Sequence, residues 1–569
     1  MYVSSGDSNG SESRPRKTAM NIFGRPLDLN PIHVSAGPVE ILAEVRAVPG
    51  GHLVSGTVQG RPGRVEILRM PAPPRFLMNN WQSWGPTQAV SPGDRLAGLD
   101  ERMANYSRCV FSPVPEEAAR ALLSDYFIGA PEFLAGFLGS RIAHPYFAVE
   151  KNEIVGYLEY FGAHVPEPVP LEPLLVLSGA PLERLLERYA EAVAGENGVR
   201  PASKNPIGWS SWYQYFTRLT PADIEKNLEI ARRDYAFDVF QIDDGYEADI
   251  GDWLRTKPGF GDLGPLARKI RDAGYAAGIW TAPFSASATS ELFSLHPDWF
   301  VREAGGEEGS PPAVCYRNWG KDIYALDTTH PRALEWLREM FEELRRQGFN
   351  YFKIDFLFSA AMPGERFKSR TPIEAYRQGM IVIREAVGPD FILGCGAPLL
   401  PSLGLVDGMR VGEDTAPFWD PAKSGVQGPN AKIAVKNPIL RWFMHRRWWL
   451  NDPDCLLLRD RDIDLTLNER ALYARVSGIL DAMLIDSDDL DLVPPEGKAL
   501  FDEAVSLQGG SVTVDGVLED DCYVISSKGG KSGDVRLAVN LSEKRRRIER
   551  REILSRTAVF LDRPGSKKI

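Results

Sequence analysis

From residue 206 onward the chain alternates short apolar runs with amphipathic helical stretches, and this rhythm restricts its possible folds more than any other feature. Eight runs recur, at 207–212, 238–242, 277–280, 351–356, 391–394, 408–411, 448–450 and 482–485. Stretches such as 221–234 and 331–347 lie between them. Parallel strands need a long crossover, usually a helix, and when both faces are covered they read as apolar throughout. Eight strands alternating with helices predict a (β/α)8 TIM barrel, placed at 200–492. The intervals are uneven and the last two runs are weak, so a doubly wound sheet stays open as the structural alternative.

The flanks read differently, and 569 residues are too many for one ordinary core. Residues 1–19 are polar and are expected to form a tail. Residues 20–195 carry short alternating runs with turn residues between them, such as 52–58 and 153–160, which predict an N-terminal β-sandwich. A helix-like run at 181–189 then leads to a link near 198–206. Beyond 495 short β runs return at 511–514, 522–526 and 535–539, so a small C-terminal β domain is expected over 495–569. A net charge of −11 speaks against nucleic acid as a partner. The basic run from Lys544 to Arg551 is interrupted by glutamate and reads as a solvated face or edge strand. Five scattered cysteines without a CxxC indicate neither a disulfide framework nor a zinc site. No secretory h-region and no apolar stretch of membrane-spanning length is visible. A cytoplasmic, reduced protein without a membrane partner is expected.

Catalytic groups of such barrels sit where strands exit at the C-terminal face. The exits here read Trp209-Ser210-Ser211-Trp212-Tyr213, Gln241-Ile242-Asp243-Asp244-Gly245, Trp280-Thr281-Ala282-Pro283, Lys353-Ile354-Asp355, Gly394-Cys395-Gly396, Arg410 through Asp414, and Asn451-Asp452-Pro453-Asp454. Carboxylates and cations bind hydroxyls, aromatic faces cover the C–H side of a sugar, and two acids cleave glycosidic bonds. Each residue also has a plainer reading. Asp243-Asp244 would serve as a turn or helix cap, Trp209, Trp212 and Trp280 as packing, and Cys395 as a small buried residue. The segment 451–454 reads as a structured turn that supports the site. Asp355 is the hardest to explain plainly, because a charge ending an apolar strand needs compensation, and Lys353 lies two residues before it.

These strings resemble the α-galactosidases, or melibiases, of glycoside hydrolase family 36, especially the compact bacterial members. The likeness includes Gly208 to Tyr213, Phe240 to Asp244, Gly278 to Phe284, Lys353 to Phe356, Met409 to Trp419 and Trp449 to Cys455. It also takes in Asn79-Asn80-Trp81-Gln82-Ser83-Trp84-Gly85 near the N-terminus. The resemblance implies retention of configuration, no metal and no cofactor, and terminal α-galactosides as substrates. It implies Asp355 as nucleophile and Asp414 as acid/base. It further implies Asp243 and Asp244 as holders of the galactose hydroxyls, with Trp280, Lys353, Arg410, Tyr213 and Cys395 as further sugar contacts. Trp84 would be lent to the pocket by the N-terminal domain. Lys353 and Arg410 should help keep Asp355 ionised. Asp414 must carry a proton at working pH, with burial or Glu413 as the means. α-N-Acetylgalactosaminidase or galactosyl transfer is possible on the same machinery. An enolase-type Mg²⁺ site and a non-catalytic sugar-binding protein are the rivals of other classes. Oligomeric state is not legible.

Overall fold

The computed structural model describes residues 20–26, 32–36, 39–94, 122–201, 203–303, 305, 310–420 and 429–562. Its centre is a ring of eight parallel strands: Ile207–Ser210, Val239–Ile242, Ala276–Thr281, Tyr351–Ile354, Phe391–Gly394, Gly408–Arg410, Leu450–Asp452 and Leu484–Asp486. Neighbours in the sheet follow chain order from the first strand to the seventh, and the eighth pairs with the first. Between the seventh and eighth, Met483 N donates to Asn451 O (3.0 Å), and Leu456 bridges Asp486. The sheet therefore nearly closes on itself as a barrel, and the doubly wound alternative is excluded.

Helices on the outer face start with strong signals. Thr220 with Asp223 and Thr371 with Glu374 form capping boxes, each followed by proline at the first helical turn. The seventh strand begins two residues later than the run at 448–450 suggests. Trp448 is used for packing: its Nε1 donates to Ala190 O, and its ring meets Tyr189 edge-on at 6.0 Å. The eighth is likewise displaced, because Asp481 adopts φ +56 and binds Arg446 through its carboxylate (2.6 Å) before the strand begins.

The N-terminal region is two antiparallel sheets, of six and nine strands, over a buried apolar cluster that includes Val54, Leu68, Phe137, Phe147 and Leu158. The helix Leu182–Asn197 joins it to the barrel, burying Leu185, Leu186, Tyr189 and Val193 and ending at Gly198 in the left-handed region. A second buried cluster runs continuously from this helix through the barrel to the inner face of the C-terminal sheet. That sheet has four antiparallel strands, Ser511–Asp515, Cys522–Gly530, Gly533–Asn540 and Thr557–Asp562. The basic run lies on a separate hairpin, Arg546–Ile548 with Arg551–Ile553, where Arg545, Arg546 and Arg547 are exposed.

One element was not expected. Between the third and fourth barrel strands the chain builds a small sheet from Ser285–Ser287, Val314–Asn318 and Lys321–Ala325. Its hairpin turn, Trp319-Gly320, stands over the barrel mouth.

Candidate active site

The fourth strand delivers Asp355 into the mouth with its backbone fixed, since Asp355 N donates to Thr281 O (2.8 Å). Its Oδ2 accepts from Trp280 Nε1 (3.1 Å) and its Oδ1 from Phe356 N (2.8 Å). Phe356 is held at φ +51, uncommon for a bulky residue. Its ring is caged by Tyr316 (5.2 Å, stacked) and Trp84 (5.0 Å, edge-on). Burial pushes the Asp355 carboxyl above its usual range, Lys353 pulls it down, Asp414 pushes it up and Arg410 pulls it down. The two cations act in the expected direction, towards the ionised form, although burial outweighs them.

Lys353 and Asp243 form a buried ion pair (3.0 Å). Burial opposes the Lys353 charge, yet Asp243 and its neighbours hold the ammonium well above its ordinary value. Asp243 also accepts from Ser210 Oγ (3.2 Å) and Gln241 Nε2, and its N–H donates to Ser211 Oγ (2.9 Å). Asp244 accepts from Trp319 Nε1 (2.8 Å). Burial, then Glu247, pushes its carboxyl well above the usual range. Gly245 must be glycine: it has φ +110, and a Cβ there would lie 2.6 Å from Thr217 Cα.

On the sixth strand Arg410 is fully buried and binds two acids. Its guanidinium pairs with Asp414 and, through Nη1, with Asp454 (3.0 Å), while Nε donates to Gly412 O (2.9 Å). The Asp414 side chain is 36% exposed, unlike the buried Asp355, so one acid faces the opening and the other the floor. Asp454 also accepts from Tyr213 OH and from Thr415 N (2.7 Å). The Tyr213 hydroxyl is thus committed to Asp454, and the 451–454 turn supports Arg410. Cys395, fully buried, accepts from Trp84 Nε1 (3.2 Å). Trp209 is core: it stacks on Phe240 at 4.3 Å and donates to Asp488 O (2.8 Å).

Asp355, Asp414, Asp243, Asp244, Trp280, Lys353, Arg410, Tyr213, Cys395 and Trp84 therefore each make a hydrogen bond or ion pair at the barrel mouth. Three indole N–H groups each engage a different polar group of the pocket: Trp84 with Cys395, Trp280 with Asp355 and Trp319 with Asp244. Trp319, Glu247, Phe356 and Tyr316 escaped the sequence reading. An aromatic residue before glycine in a hairpin turn was the only signal for Trp319. Among the described residues no group of three or more His, Cys, Asp or Glu side chains could hold a metal ion, and no helix is long and apolar enough to cross a membrane.

A (β/α)8 barrel whose mouth sets paired acids among indoles and buried cations belongs to the class of barrel glycosidases. Residues 44–178 match the family described as "Alpha-galactosidase, N-terminal", and residues 198–380 match "Melibiase". The chain is 32% identical over 160 residues to the myogenesis-regulating glycosidase of Mus musculus, covering 27% of this chain and 21% of that protein. It is 27% identical over 146 residues to an α-galactosidase of Escherichia coli, covering 24% and 19%. These matches span about a fifth of the curated relatives' own length. The α-galactosidase of Thermus thermophilus in complex with p-nitrophenyl α-D-galactopyranoside superimposes with a TM-score of 0.69 at 27% identity, covering 87% of this chain and 98% of that one. The chain belongs to the melibiase family, the α-galactosidase family 36 of glycoside hydrolases.

Proposed function

We propose that this protein is an exo-acting α-galactosidase that releases terminal α-galactose with retention of configuration. The observation that carries the reading is the pairing of buried Asp355, bound by Trp280, with partly exposed Asp414, bound by Arg410. Asp355 attacks C1 as a carboxylate; the C1–O bond breaks as Asp414 gives its proton to the departing oxygen. Asp414, now a carboxylate, takes a proton from water, whose oxygen displaces Asp355 from C1. Arg410 holds Asp414 at the opening, where the departing oxygen and the attacking water pass. Asp243 and Asp244 hold the sugar hydroxyls, with Lys353 and Trp319 fixing those acids.

Oligosaccharides ending in α-galactose are the substrate class; a solved structure of the Thermus relative contains stachyose. A relative in Flavonifractor plautii, 24% identical over 229 residues, is named for acting on galactosamine. The unsubstituted sugar is favoured here because Cys395 is fully buried beneath Trp84, leaving no exposed surface for an acetamide beside it. Nitrophenyl α-galactoside should be hydrolysed far faster than the α-glucoside or the N-acetylgalactosaminide, with α-galactose appearing first by NMR. β-Galactose appearing first would overturn double displacement, and preference for the N-acetyl substrate would overturn the specificity.

A further inference from the structure

The seam between the N-terminal domain and the barrel contains a guanidinium whose donors reach only neutral oxygens. Arg441 follows the helix Ala431–Leu440 and is fully buried. Its Nε donates to Thr87 Oγ1 (2.8 Å) and Asn79 Oδ1 (3.2 Å), its Nη1 to Ser83 O (2.7 Å) and Val411 O (3.1 Å), and its Nη2 to Gly85 O (2.9 Å). Ser83 and Gly85 flank Trp84, and Val411 follows Arg410. One side chain thus grips both carbonyls that bracket the pocket indole and the strand exit that carries Arg410.

A buried charge without a counter-ion is costly. Burial pulls Arg441 down to about 9, which still leaves it protonated at neutral pH. The planar fork suits the task, since no other side chain offers five donors in fixed directions. The Trp81-Gln82-Ser83 side of the loop has its own anchors on the barrel: Ser83 N donates to Ala397 O (2.9 Å) and Leu399 N to Trp81 O (2.9 Å). The Gly85 side has Arg441 and Asn437, whose Nδ2 donates to Gly85 O (3.1 Å). Trp84 lies between these two anchorages, with its edge on Cys395.

We propose that Arg441 is a positioning residue of the pocket, which holds Trp84 over Cys395 by fixing the carbonyls on either side of it against the exit of the sixth barrel strand. Its effect on turnover rests on the α-galactosidase reading; its effect on Trp84 does not.

The test compares wild type with Arg441→Lys, which keeps the charge but not the fork, and Arg441→Ala with and without millimolar guanidinium. Iodoacetamide labelling, mapped by peptide mass spectrometry, reports whether Trp84 still covers Cys395. Cys395 should react about tenfold faster in both variants, as expected for a local opening, and guanidinium should restore protection to the alanine variant. Cys315 and Cys455, buried elsewhere, should keep their wild-type rates. Turnover of nitrophenyl α-galactoside should fall about tenfold in kcat/KM, chiefly through KM, and Trp84→Ala should add little to Arg441→Lys because the two act as one unit. Wild-type protection of Cys395 in a folded variant, or additive effects of the two substitutions, would overturn the proposal. Equal exposure of all three thiols in both variants would assign Arg441 to overall stability and overturn it as well. A wild-type protein inactive on every α-galactoside would defeat the functional reading, while the thiol rates would still decide the role of Arg441.

Discussion

Asp452 offers the sharpest test of the electrostatics beneath the site. It ends the seventh strand, is buried, and accepts from Asp454 N (2.9 Å). Burial, then the Asp454 carboxylate, raises its carboxyl from 3.8 to about 6, against the pull of Arg410. A folded-state value above the unfolded one means that the native protein binds the extra proton between those two pH values. Stability from this group is therefore lost as pH rises from about 4 to about 6, and above that the cost is constant at about 3 kcal/mol. Asp452→Asn keeps the side-chain oxygen that accepts from Asp454 N and removes the ionisation. The variant should gain about 3 kcal/mol at pH 8 but only about 1 kcal/mol at pH 4.5. At about 2.1 cal/mol/K per residue the 569-residue chain unfolds with an entropy of about 1.2 kcal/mol/K, so a gain of about 2–3 °C in Tm is expected at pH 8. Paired calorimetric scans at the two pH values measure it. A Tm that falls at pH 8, or a gain independent of pH, would show that Asp452 is ionised at no cost and refute the reasoning.

Asp355→Ala should leave the fold intact and retain less than about a hundredth of the activity, since loss of a nucleophile usually costs several orders of magnitude. Added azide should restore part of the turnover and give β-galactosyl azide; a more active variant would remove Asp355 from its role. Asp414→Asn should slow substrates with basic leaving groups far more than activated aryl galactosides. If Glu413→Gln shows that selectivity and Asp414→Asn does not, the acid/base role passes to Glu413. Trp319→Phe deletes the N–H bound to Asp244 but keeps a ring, so KM should rise several-fold with kcat less affected; an unchanged KM would show that Asp244 needs no help from the hairpin.

The barrel was legible because its strands are short, apolar and end in polar residues, and seven exits could be read as one rim. Trp448 misled because an apolar residue gives no sign whether it faces a barrel neighbour or the helix Leu182–Asn197. Trp319 was hidden in the long excursion between the third and fourth strands, where no periodicity marks the hairpin. Sequence placed Lys353 near Asp355 and so gave the sign of their interaction, but not the depth of burial, which prevails. It could not show Arg441 at all: that contact joins segments far apart in the chain, and nothing local distinguishes this arginine from its neighbours Arg446 and Arg447.

The loop that carries Trp84 also imposes a timetable. Trp84 and Cys395 are separated by 311 positions in the chain. At roughly 5–20 residues per second, ribosomal synthesis leaves the loop waiting about 15–60 s between its own emergence and that of the thiol it covers. Throughout that interval Trp81 and Trp84, both buried in the finished protein, have no barrel to receive them. The pocket therefore cannot be completed before the barrel emerges, and turnover reports that both domains have met.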